Sequence, residues 1–532
     1  MAQSNDYLVP HLDGLPYLDK PIVYFAAAAA IMELTGVSET AARLPAYIAT
    51  LATIGLLAWF ARRRWGENAG WLAGLAYATT VLPLAYARTA IFDSTLTLCT
   101  SAAILGTFEE QLVAAWAAMA VGALTKGPVA VALPLLVLVP HALATGASVR
   151  RLFPRRGLVA FAAIALPWFV AVSLAHPDFP GYVFLRETLA RVTTTRFHRT
   201  APFWYYLPIV PVAAFPWIIP ALARLRHWRL TWAARRDPSA REPLLFACWV
   251  IVPLLFFTLN QSKLPQYVLP LIPAFTLAAT RNLVTGASTT GARAYAALAV
   301  LAGVALVALT VWLPAPITLT PSEKAAIPPA ALALGVVVLC SAALVALGAL
   351  ARRPRIMIWG YAVVVIAIPF LSGNLLAAVG EDRSSAAVAG ATAVALQRAG
   401  GSGAVLSVLA YPPSLPFYLG RPVALATATG AELTSNYIAD NVERLRAAPG
   451  SPLLPAGYWR EALGRCPIPT VFLTGAGNRE VRETLGAALP LLAADSHYAA
   501  YGPCRPSQPP QPPQPPQPPQ PPQPPRRGGR VR

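Results

Sequence analysis

The stretch Asp6–Pro21, DYLVPHLDGLPYLDKP, ends in an acidic and a basic residue and runs directly into apolar sequence. Such a pair is typical either of an anchor at a membrane interface or of a polar site beside the membrane, because a lysine stem can lie along apolar surface with its ammonium in water. The rest of the sequence decides between these interpretations. A site requires that further ionisable residues gather on the same side of the membrane.

The composition is that of a polytopic membrane protein. The 532 residues are 56% hydrophobic and 12% charged, with a mean hydropathy of +0.52, whereas soluble domains have roughly 25% charged residues. The net charge of +19 lies mostly in arginine-rich loops between apolar runs. Arginine in such loops orients helices in the membrane, so we expect no nucleic-acid partner.

Apolar runs that approach the length of a membrane span recur through residues 1–376. A hydrocarbon core of roughly 30 Å needs about 20 apolar residues, and about twelve runs come near this length. They lie at 38–61, 69–87, 90–107, 111–125, 128–146, 157–175, 203–223, 243–260, 265–281, 294–313, 329–350 and 355–376. The shorter run at 22–34 predicts a helix at the membrane interface. We therefore predict an α-helical polytopic membrane domain over residues 1–376.

The basic loops predict the orientation of this domain. They are Arg62–Arg64, the arginines of 150–156 and of 224–241, Arg281 with Arg293, and the arginines of 352–355. In the predicted order of spans all of them fall on one side, which the positive-inside rule makes cytoplasmic. The opening stretch and everything after about residue 377 then lie outside.

The sequence after residue 377 predicts a small α/β domain at the outer face. Val405–Leu409 and Thr470–Thr474 are typical of short strands, and Ala386–Arg398 is typical of a helix. We assign residues 377–505 to this domain. Its two cysteines, Cys466 and Cys504, could form a disulfide if the domain is outside the cytoplasm.

The last residues, 506–532, form a separate segment. They repeat Gln-Pro-Pro and end in a basic stretch. A sequence of this kind cannot bury a core and is typical of polyproline II or disordered chain. We expect a tail without its own fold.

Ionisable residues at the predicted outer boundary form the candidate site. An ionisable group at bilayer depth costs at least about 2.5 kcal/mol, so those that persist usually have a function. The candidates are Asp19, Lys20, Arg88, Asp93, Lys126, Arg191, His198, Arg199 and Lys263. Each alone could be an anchor, a surface ion pair or a loop residue. Gathered on one face, a cationic cluster with few carboxylates suits an anionic headgroup such as a phosphate.

Six motifs around these residues resemble one family. They are Tyr17–Pro21 (YLDKP), Arg88 with Asp93, Leu124–Pro128 (LTKGP), His198–Tyr206 (HRTAPFWYY), Phe215–Trp217 (FPW) and Ser262–Pro270 (SKLPQYVLP). In this order they are similar to the bacterial GT-C glycosyltransferases of the aminoarabinose lipid A transferase and protein mannosyltransferase group. The resemblance covers residues 1 to about 282. After that only the pattern of further helices and an outer domain remains.

The resemblance implies a membrane glycosyltransferase of the bacterial inner membrane. Such an enzyme passes a sugar from a polyprenyl-phosphate donor, with inversion, to lipid A, another cell-envelope acceptor or a protein at the outer face, and uses no nucleotide cofactor. The resemblance also implies roles for particular residues: donor-phosphate binding for Lys20 and Arg191 or Arg199, positioning of the reacting groups for Asp93, and cavity lining for Tyr17 and Tyr267. Positive charge placed at the departing phosphate would lower the barrier to transfer.

The chain departs from the family at two places. Asp19 stands where the family has Glu, and together with His198 it would be the pair that binds one divalent cation. The family's first transmembrane helix and its outer Asp-Glu loop have no counterpart ahead of Met1, and residues 1–7 resemble the end of that loop. We expect either that the reading frame continues upstream or that the chain is a degenerate copy.

Two other classes of function remain open. A transporter or flippase for a lipid-linked sugar would place charges and broken helices in two repeated halves, and no such repeat is visible in the sequence. An inactive, truncated scaffold that presents the outer domain is the other alternative. Consumption of a polyprenyl-phosphate sugar distinguishes the enzyme from both.

The predicted topology is tested by reporter fusions. A periplasm-active reporter joined after residue 380 should be active and a cytoplasm-active one silent, because an even set of spans returns the chain to the outer face where it began. Cytoplasmic activity at this position would overturn the topology and with it the outer site.

Overall fold

The computed structural model describes residues 1–2, 4–183, 201–286, 288–312 and 319–505. The chain forms two compact units: Met1–Ser384 with Leu433–Pro449, and Ser385–Glu432 with Gly450–Arg532. The segment 433–449, which the sequence analysis placed in the outer domain, therefore belongs to the first unit. The tail 506–532 lies outside the described residues.

Helices dominate the described chain. They are α1 Val23–Thr35, α2 Glu39–Trp65, α3 Glu67–Ala78, α4 Val81–Ala87, α5 Phe92–Phe108, α6 Leu112–Lys126, α7 Val129–Thr145, α8 Arg155–Ala175, α9 Phe179–Gly181, α10 Tyr206–Ala213, α11 Ile218–Leu222, α12 Trp228–Ala233, α13 Pro238–Leu259, α14 Ile272–Val284, α15 Ser288–Ala308, α16 Pro321–Leu350, α17 Pro354–Leu371, α18 Gly373–Arg383, α19 Ala386–Arg398, α20 Leu415–Leu419, α21 Asn436–Asp440, α22 Val442–Arg446, α23 Tyr458–Arg465 and α24 Arg479–Ala488. Short 3-10 helices lie at Val149–Leu152, Phe203–Tyr205, Leu225–His227, Pro265–Leu271 and Ala431–Leu433.

The membrane-spanning character of the first unit is confirmed, but the count of about twelve spans is not. Within the described ranges, 7 helices are long and apolar enough to cross a membrane, or 8 if the bent pair Phe203–Ala213 and Ile218–Ala233 is one span. Some apolar runs form shorter helices, such as α6 with 15 residues and α7 with 17. The run 69–87 is divided into α3 and α4, because Pro83 near the start of α4 cannot continue a preceding helix.

Contacts at one end of the helices confirm that several basic loops share a face. Glu242 accepts hydrogen bonds from Arg64 Nε at 2.9 Å, Arg281 Nε at 2.9 Å and Trp65 Nε1 at 3.0 Å. Glu109, just beyond α5, accepts from Arg63 Nε at 3.1 Å. Since α5 has 17 residues, its other end lies about 25 Å away at 1.5 Å per residue. The first unit therefore has an arginine-rich end and an opposite end.

The opening stretch folds into a tight hairpin. Strands β1, His11–Leu12, and β2, Leu15–Pro16, pair antiparallel, and Leu12 lies opposite Leu15. The two turn residues are Asp13, with φ 51°, and Gly14, with φ 83°. A two-residue turn with both φ values positive favours Asp-Gly. The hairpin places Tyr17–Pro21 directly ahead of α1.

The second unit is built on a six-stranded mixed sheet. Its further strands are β3 Ala404–Val408, β4 Ala424–Thr427, β5 Leu453–Pro455, β6 Thr470–Gly475, β7 Leu491–Ala494 and β8 Tyr498–Tyr501, in the order β5-β4-β3-β6-β8-β7. The first four strands in this order are parallel, and β8 runs antiparallel to β6 and β7. Both predicted strands and the helix Ala386–Arg398 are confirmed. The central strands are buried apolar runs, as parallel strands covered on both faces require.

A disulfide joins the two cysteines of this unit. Cys466 and Cys504 are bonded with their Cα atoms 6.0 Å apart, and both lie in the core of the sheet with Phe472 and Tyr501. The pairing anticipated from the sequence is present. The bond ties the end of α23 to the residues after β8.

Removal of this disulfide should destabilise the second unit. Cys466→Ala with Cys504→Ala frees a loop with a sequence separation of 38, which corresponds to at most about 4 kcal/mol in the chain-entropy account. Urea-dependent proteolysis of the unit should then begin at lower urea. Cys340→Ala, at an exposed free cysteine, is the control. An unchanged urea midpoint in the double variant would contradict the prediction.

Candidate functional site

A cavity of about 310 Å³ lies in the first unit at the end opposite the arginine-rich one. Its polar lining consists of Asp19, Lys20, Asp93, Lys126, Asn260 and Tyr267. Its apolar lining includes Leu18, Leu96, Phe179, Phe256 and Phe257. A concave space with a few charged groups in apolar walls has the general form of a ligand site.

Asp93 and Lys126, which both line the cavity, form an ion pair. Asp93 lies in the first turn of α5 and Lys126 in the last turn of α6, where the helix dipoles favour a negative and a positive charge respectively. The short connection between these helices makes them antiparallel neighbours, so the two residues meet across 33 positions of sequence. Asp93 is only 3% exposed, and its carboxylate accepts a hydrogen bond from the ammonium.

Tyr267 holds the other side of the lysine. The Lys126 ammonium lies 4.9 Å from the centre of the Tyr267 ring, a distance at which a cation is attracted to an aromatic face. Gly127 follows with φ 79°, in the left-handed region that a residue with a Cβ rarely adopts. This glycine ends α6 and lets the chain turn at once into Pro128, the residue before α7. The LTKGP motif is therefore the corner that fixes the lysine.

Lys20 and Asp19 enter the cavity from the hairpin. Lys20 Nζ donates to the backbone carbonyl of Asp19 at 2.7 Å. The Asp19 carboxylate is buried and accepts hydrogen bonds from Tyr182 Oη at 2.6 Å, from the backbone N–H of Asn436 at 2.9 Å and from the hydroxyl of Ser435. Asp19 therefore positions the loop that carries Lys20.

The segment 433–449 supplies two of the hydrogen-bond donors to Asp19, namely Ser435 and Asn436. Ser435 caps α21, since its hydroxyl oxygen accepts a hydrogen bond from the N–H of Ile438 at 3.2 Å. The same hydroxyl donates its hydrogen to the Asp19 carboxylate. Tyr437 Oη donates to Asp178 at 2.9 Å, and Arg444 also donates to Asp178 at 2.9 Å. The segment is thus joined to the rest of the first unit at two carboxylates, Asp19 and Asp178.

The structure places five of the predicted residues together: Asp19, Lys20, Asp93, Lys126 and Tyr267 all line the cavity. Three others do not line it, namely Tyr17, Arg88 and Lys263. The Tyr17 ring contacts Phe25 at 5.7 Å between centroids, and Arg88 is exposed at the end of α4. Lys263 is buried and donates to the backbone carbonyl of Asn260 at 2.6 Å, so it supports a lining residue. Arg191, His198 and Arg199 lie outside the described residues.

Several lining or supporting residues were missed by the sequence analysis. Asn260 follows an apolar run directly and precedes Ser262–Pro270, so its polarity at a span end was a usable signal. Phe256 and Phe257 are indistinguishable in sequence from ordinary span residues. Ser435 had no local signal, because it lies 416 residues from Asp19 in the sequence.

The described residues do not fit a metal centre at Asp19. Both oxygens of its carboxylate already accept hydrogen bonds, and no cluster of three His, Cys, Asp or Glu side chains occurs within the described part of the chain. Its predicted partner His198 is outside that part. The divalent cation stays a prediction, and no chemical step below uses it.

Known proteins are similar to this chain in sequence and in fold. The dolichyl-phosphate-mannose-protein mannosyltransferase family model matches residues 19–175. The undecaprenyl phosphate-α-4-amino-4-deoxy-L-arabinose arabinosyl transferase of Aeromonas salmonicida is 33% identical over 287 residues, 51% of each chain. That of Pectobacterium carotovorum is 31% identical over 283 residues, 51% of this chain and 50% of the relative. The crystal structure of ArnT from Cupriavidus metallidurans bound to undecaprenyl phosphate has a TM-score of 0.75 at 25% identity, over 95% of this chain and 91% of that one.

The helical fold with its charged cavity defines a polytopic membrane protein of the GT-C type. The match to curated relatives spans about half of their length, whereas the structural match covers nearly the whole chain. The family model over residues 19–175, the curated relatives and the crystal structure together support a GT-C protein like the aminoarabinose lipid A transferases. The family predicted from the six motifs is thereby confirmed, and the protein is an integral membrane protein.

The contacts of Asp178 should make stability depend on pH. Burial opposes ionisation, but hydrogen bonds from Tyr437 and Arg444 outweigh it and lower the pKa of Asp178 below 3.8. A lowered pKa in the folded state stabilises the fold above pH 3.8, and this contribution is lost as the pH falls through the folded value.

Asp178→Asn should therefore lower the free energy of unfolding of the detergent-solubilised protein at pH 7 by no more than about 1 kcal/mol, because the pair is partly exposed. This loss should appear as a lower melting temperature. The difference from the unmodified protein should shrink as the pH falls below 3.8. Glu443→Gln, which removes an exposed partner of Arg446 in the same segment, is the control. A difference that is constant with pH would mean that the charge of Asp178 has no role.

Proposed function

We propose that the chain transfers an aminopentose from an undecaprenyl-phosphate donor to lipid A at the outer face of the inner membrane. The observation that carries the proposal is the cavity, which is lined by Lys20, by Lys126 in its ion pair with Asp93, and by aromatic side chains. The chain has only 4 lysines, and 2 of them line this one space. A phosphate-linked sugar on an apolar chain needs cations and apolar surface side by side.

The relatives support the choice of donor. Those from Aeromonas salmonicida and Pectobacterium carotovorum are named as undecaprenyl phosphate-aminoarabinose arabinosyl transferases, and the structurally similar ArnT was crystallised with undecaprenyl phosphate. The acceptor could be another cell-envelope molecule or a protein, as the mannosyltransferase family model indicates. We take lipid A as the principal acceptor because the aminoarabinosyl relatives match over a longer part of the chain.

In the proposed reaction an acceptor oxygen attacks the anomeric carbon of the sugar, and the proton of a hydroxyl acceptor passes to the departing phosphate. The bond from that carbon to the phosphate oxygen breaks, and the electron pair leaves with undecaprenyl phosphate, so the configuration inverts. Lys20 and Lys126 stabilise the negative charge that develops on the departing phosphate. Asp93 fixes the Lys126 ammonium and offers its remaining lone pairs to hydroxyl groups of the sugar or the acceptor. No nucleotide takes part.

The orientation of the chain forms part of the proposal. The disulfide Cys466–Cys504 supports a location of the second unit outside the cytoplasm, because such bonds persist in oxidising compartments. The arginines gathered around Glu242 support a cytoplasmic location of the arginine-rich end of the helices. The cavity then faces the periplasmic side, where the donor's sugar and the acceptor meet.

Substitution of the charged lining residues should abolish transfer without unfolding the protein. Lys126→Met, Asp93→Asn and Lys20→Ala should each lower kcat by about a hundredfold or more, because each acts on charge that develops during transfer. Lys324→Ala, at an exposed lysine outside the cavity, should leave the rate unchanged. Near-normal rates in all three variants would mean that these residues are membrane anchors and take no part in transfer.

The activity itself is tested with purified protein in proteoliposomes. Undecaprenyl-phosphate aminoarabinose and lipid A are supplied together, and mass spectrometry follows the mass gain of lipid A and the release of undecaprenyl phosphate. The amount of modified lipid A should equal the amount of undecaprenyl phosphate released. Movement of the donor between leaflets without its consumption would instead favour the flippase alternative. If the donor is neither consumed nor moved, the scaffold alternative is favoured.

A further inference from the structure

A second and larger cavity, of about 860 Å³, lies at the arginine-rich end of the first unit. It is separate from the candidate active site. Helix α13 passes both, since Ser239 near its start lines this cavity and Asn260 after its end lines the other. At 1.5 Å per residue these positions are about 30 Å apart, which is the thickness of a bilayer core.

The cavity has a cationic rim. Arg224, Arg226 and His227 line it and are exposed. Arg224 donates to the backbone carbonyl of Thr285 at 3.2 Å, and neither Arg224 nor Arg226 forms an ion pair with a carboxylate among the described residues. Arg281 also lines the cavity, but Glu242 neutralises it. Two guanidinium groups with their charge available therefore stand at the entrance.

Below this rim the cavity is apolar and deep. Its walls are Phe246, Val250 and Ile251 of α13 and Ala274, Phe275 and Ala278 of α14. From Ser239 to Ile251 the lining extends 12 residues along α13, and from Gly286 back to Ala274 it extends 12 residues in the direction of α14. Each corresponds to about 18 Å, close to the depth of one leaflet, which is about half of a 30 Å core.

A bend in the chain keeps this space open. The arms Phe203–Ala213 and Ile218–Ala233 meet at an angle of 109°, so the second arm turns away from the first. Asn282 of α14 holds α11 by donating to the backbone carbonyls of Pro220 at 3.0 Å and Ala221 at 2.9 Å. The rim is thus fixed to the helix whose apolar residues form the wall.

We propose that this cavity binds one anionic phospholipid of the cytoplasmic leaflet, with its phosphate at Arg224 and Arg226 and an acyl chain along α13 and α14. Basic pockets between membrane helices on this side are suited to such headgroups. A free phosphate would use only the rim and leave the apolar walls in contact with water. A polyprenyl chain is much longer than a cavity one leaflet deep. The cavity's size, depth and charge all match a phospholipid.

The test is native mass spectrometry of the full-length protein with added phosphatidylglycerol. Arg224→Gln with Arg226→Gln should weaken retention of one lipid by about thirtyfold, since each arginine near an anionic lipid contributes about fivefold. Arg229→Gln with Arg236→Gln removes the same charge from the same basic segment but outside the cavity lining. This control should change retention much less than the first pair, because neither side chain lines the cavity. Equal losses in both pairs would show general attraction to the basic surface and overturn the proposal.

A second variant tests the apolar depth independently of charge. Ala278→Phe adds a ring to the cavity wall, and it should abolish retention of phosphatidylglycerol while both arginines remain. Retention of the lipid in this variant would overturn the acyl-chain part of the proposal. Two competitors test the occupant: displacement by millimolar inorganic phosphate, or tighter binding of polyprenyl phosphate than of phosphatidylglycerol, would each contradict a phospholipid.

Discussion

The ion pair between Asp93 and Lys126 is the interaction on which the site depends. A single buried charge at bilayer depth is costly, and removal of one partner leaves the other uncompensated. The pair is tolerated because each residue lies at the helix end whose dipole favours its charge. Tyr267 covers the ammonium, and Gly127 permits the turn that aims it. A rigid positive charge therefore faces a cavity with apolar walls.

Asp19 has a structural part among the described residues. Its carboxylate is surrounded by donors from Tyr182, Ser435 and Asn436, so it acts as an acceptor that joins three parts of the first unit. The adjacent Lys20 is thereby held at the cavity. Since 433–449 is flanked in sequence by the second unit, the site depends on a segment encoded within the C-terminal region.

The two ends of the first unit differ in their charges. At one end a few charges are buried and paired around the smaller cavity. At the other, arginines of several loops gather around Glu242 and Glu109. Two more line a larger cavity and have no carboxylate partner within the part of the chain that the structure describes. Exposed arginines at this end suit an anionic membrane surface, which attracts basic segments.

The sequence by itself determined the class of protein, the likeness to the GT-C family, and two strands and one helix of the C-terminal unit, because composition, apolar length and alternation are local properties. It also identified Lys20, Asp93 and Lys126, since charge within apolar sequence is visible without coordinates. Only the tertiary structure showed that Lys263 acts through Asn260 and that Arg88 lies away from the cavity. Only the tertiary structure revealed the hydrogen bond from Ser435 to Asp19, because a contact across 416 residues is made by packing and leaves no local pattern. The number of spans also required coordinates, since a proline or a glycine turn divides apolar runs into helices of unequal length.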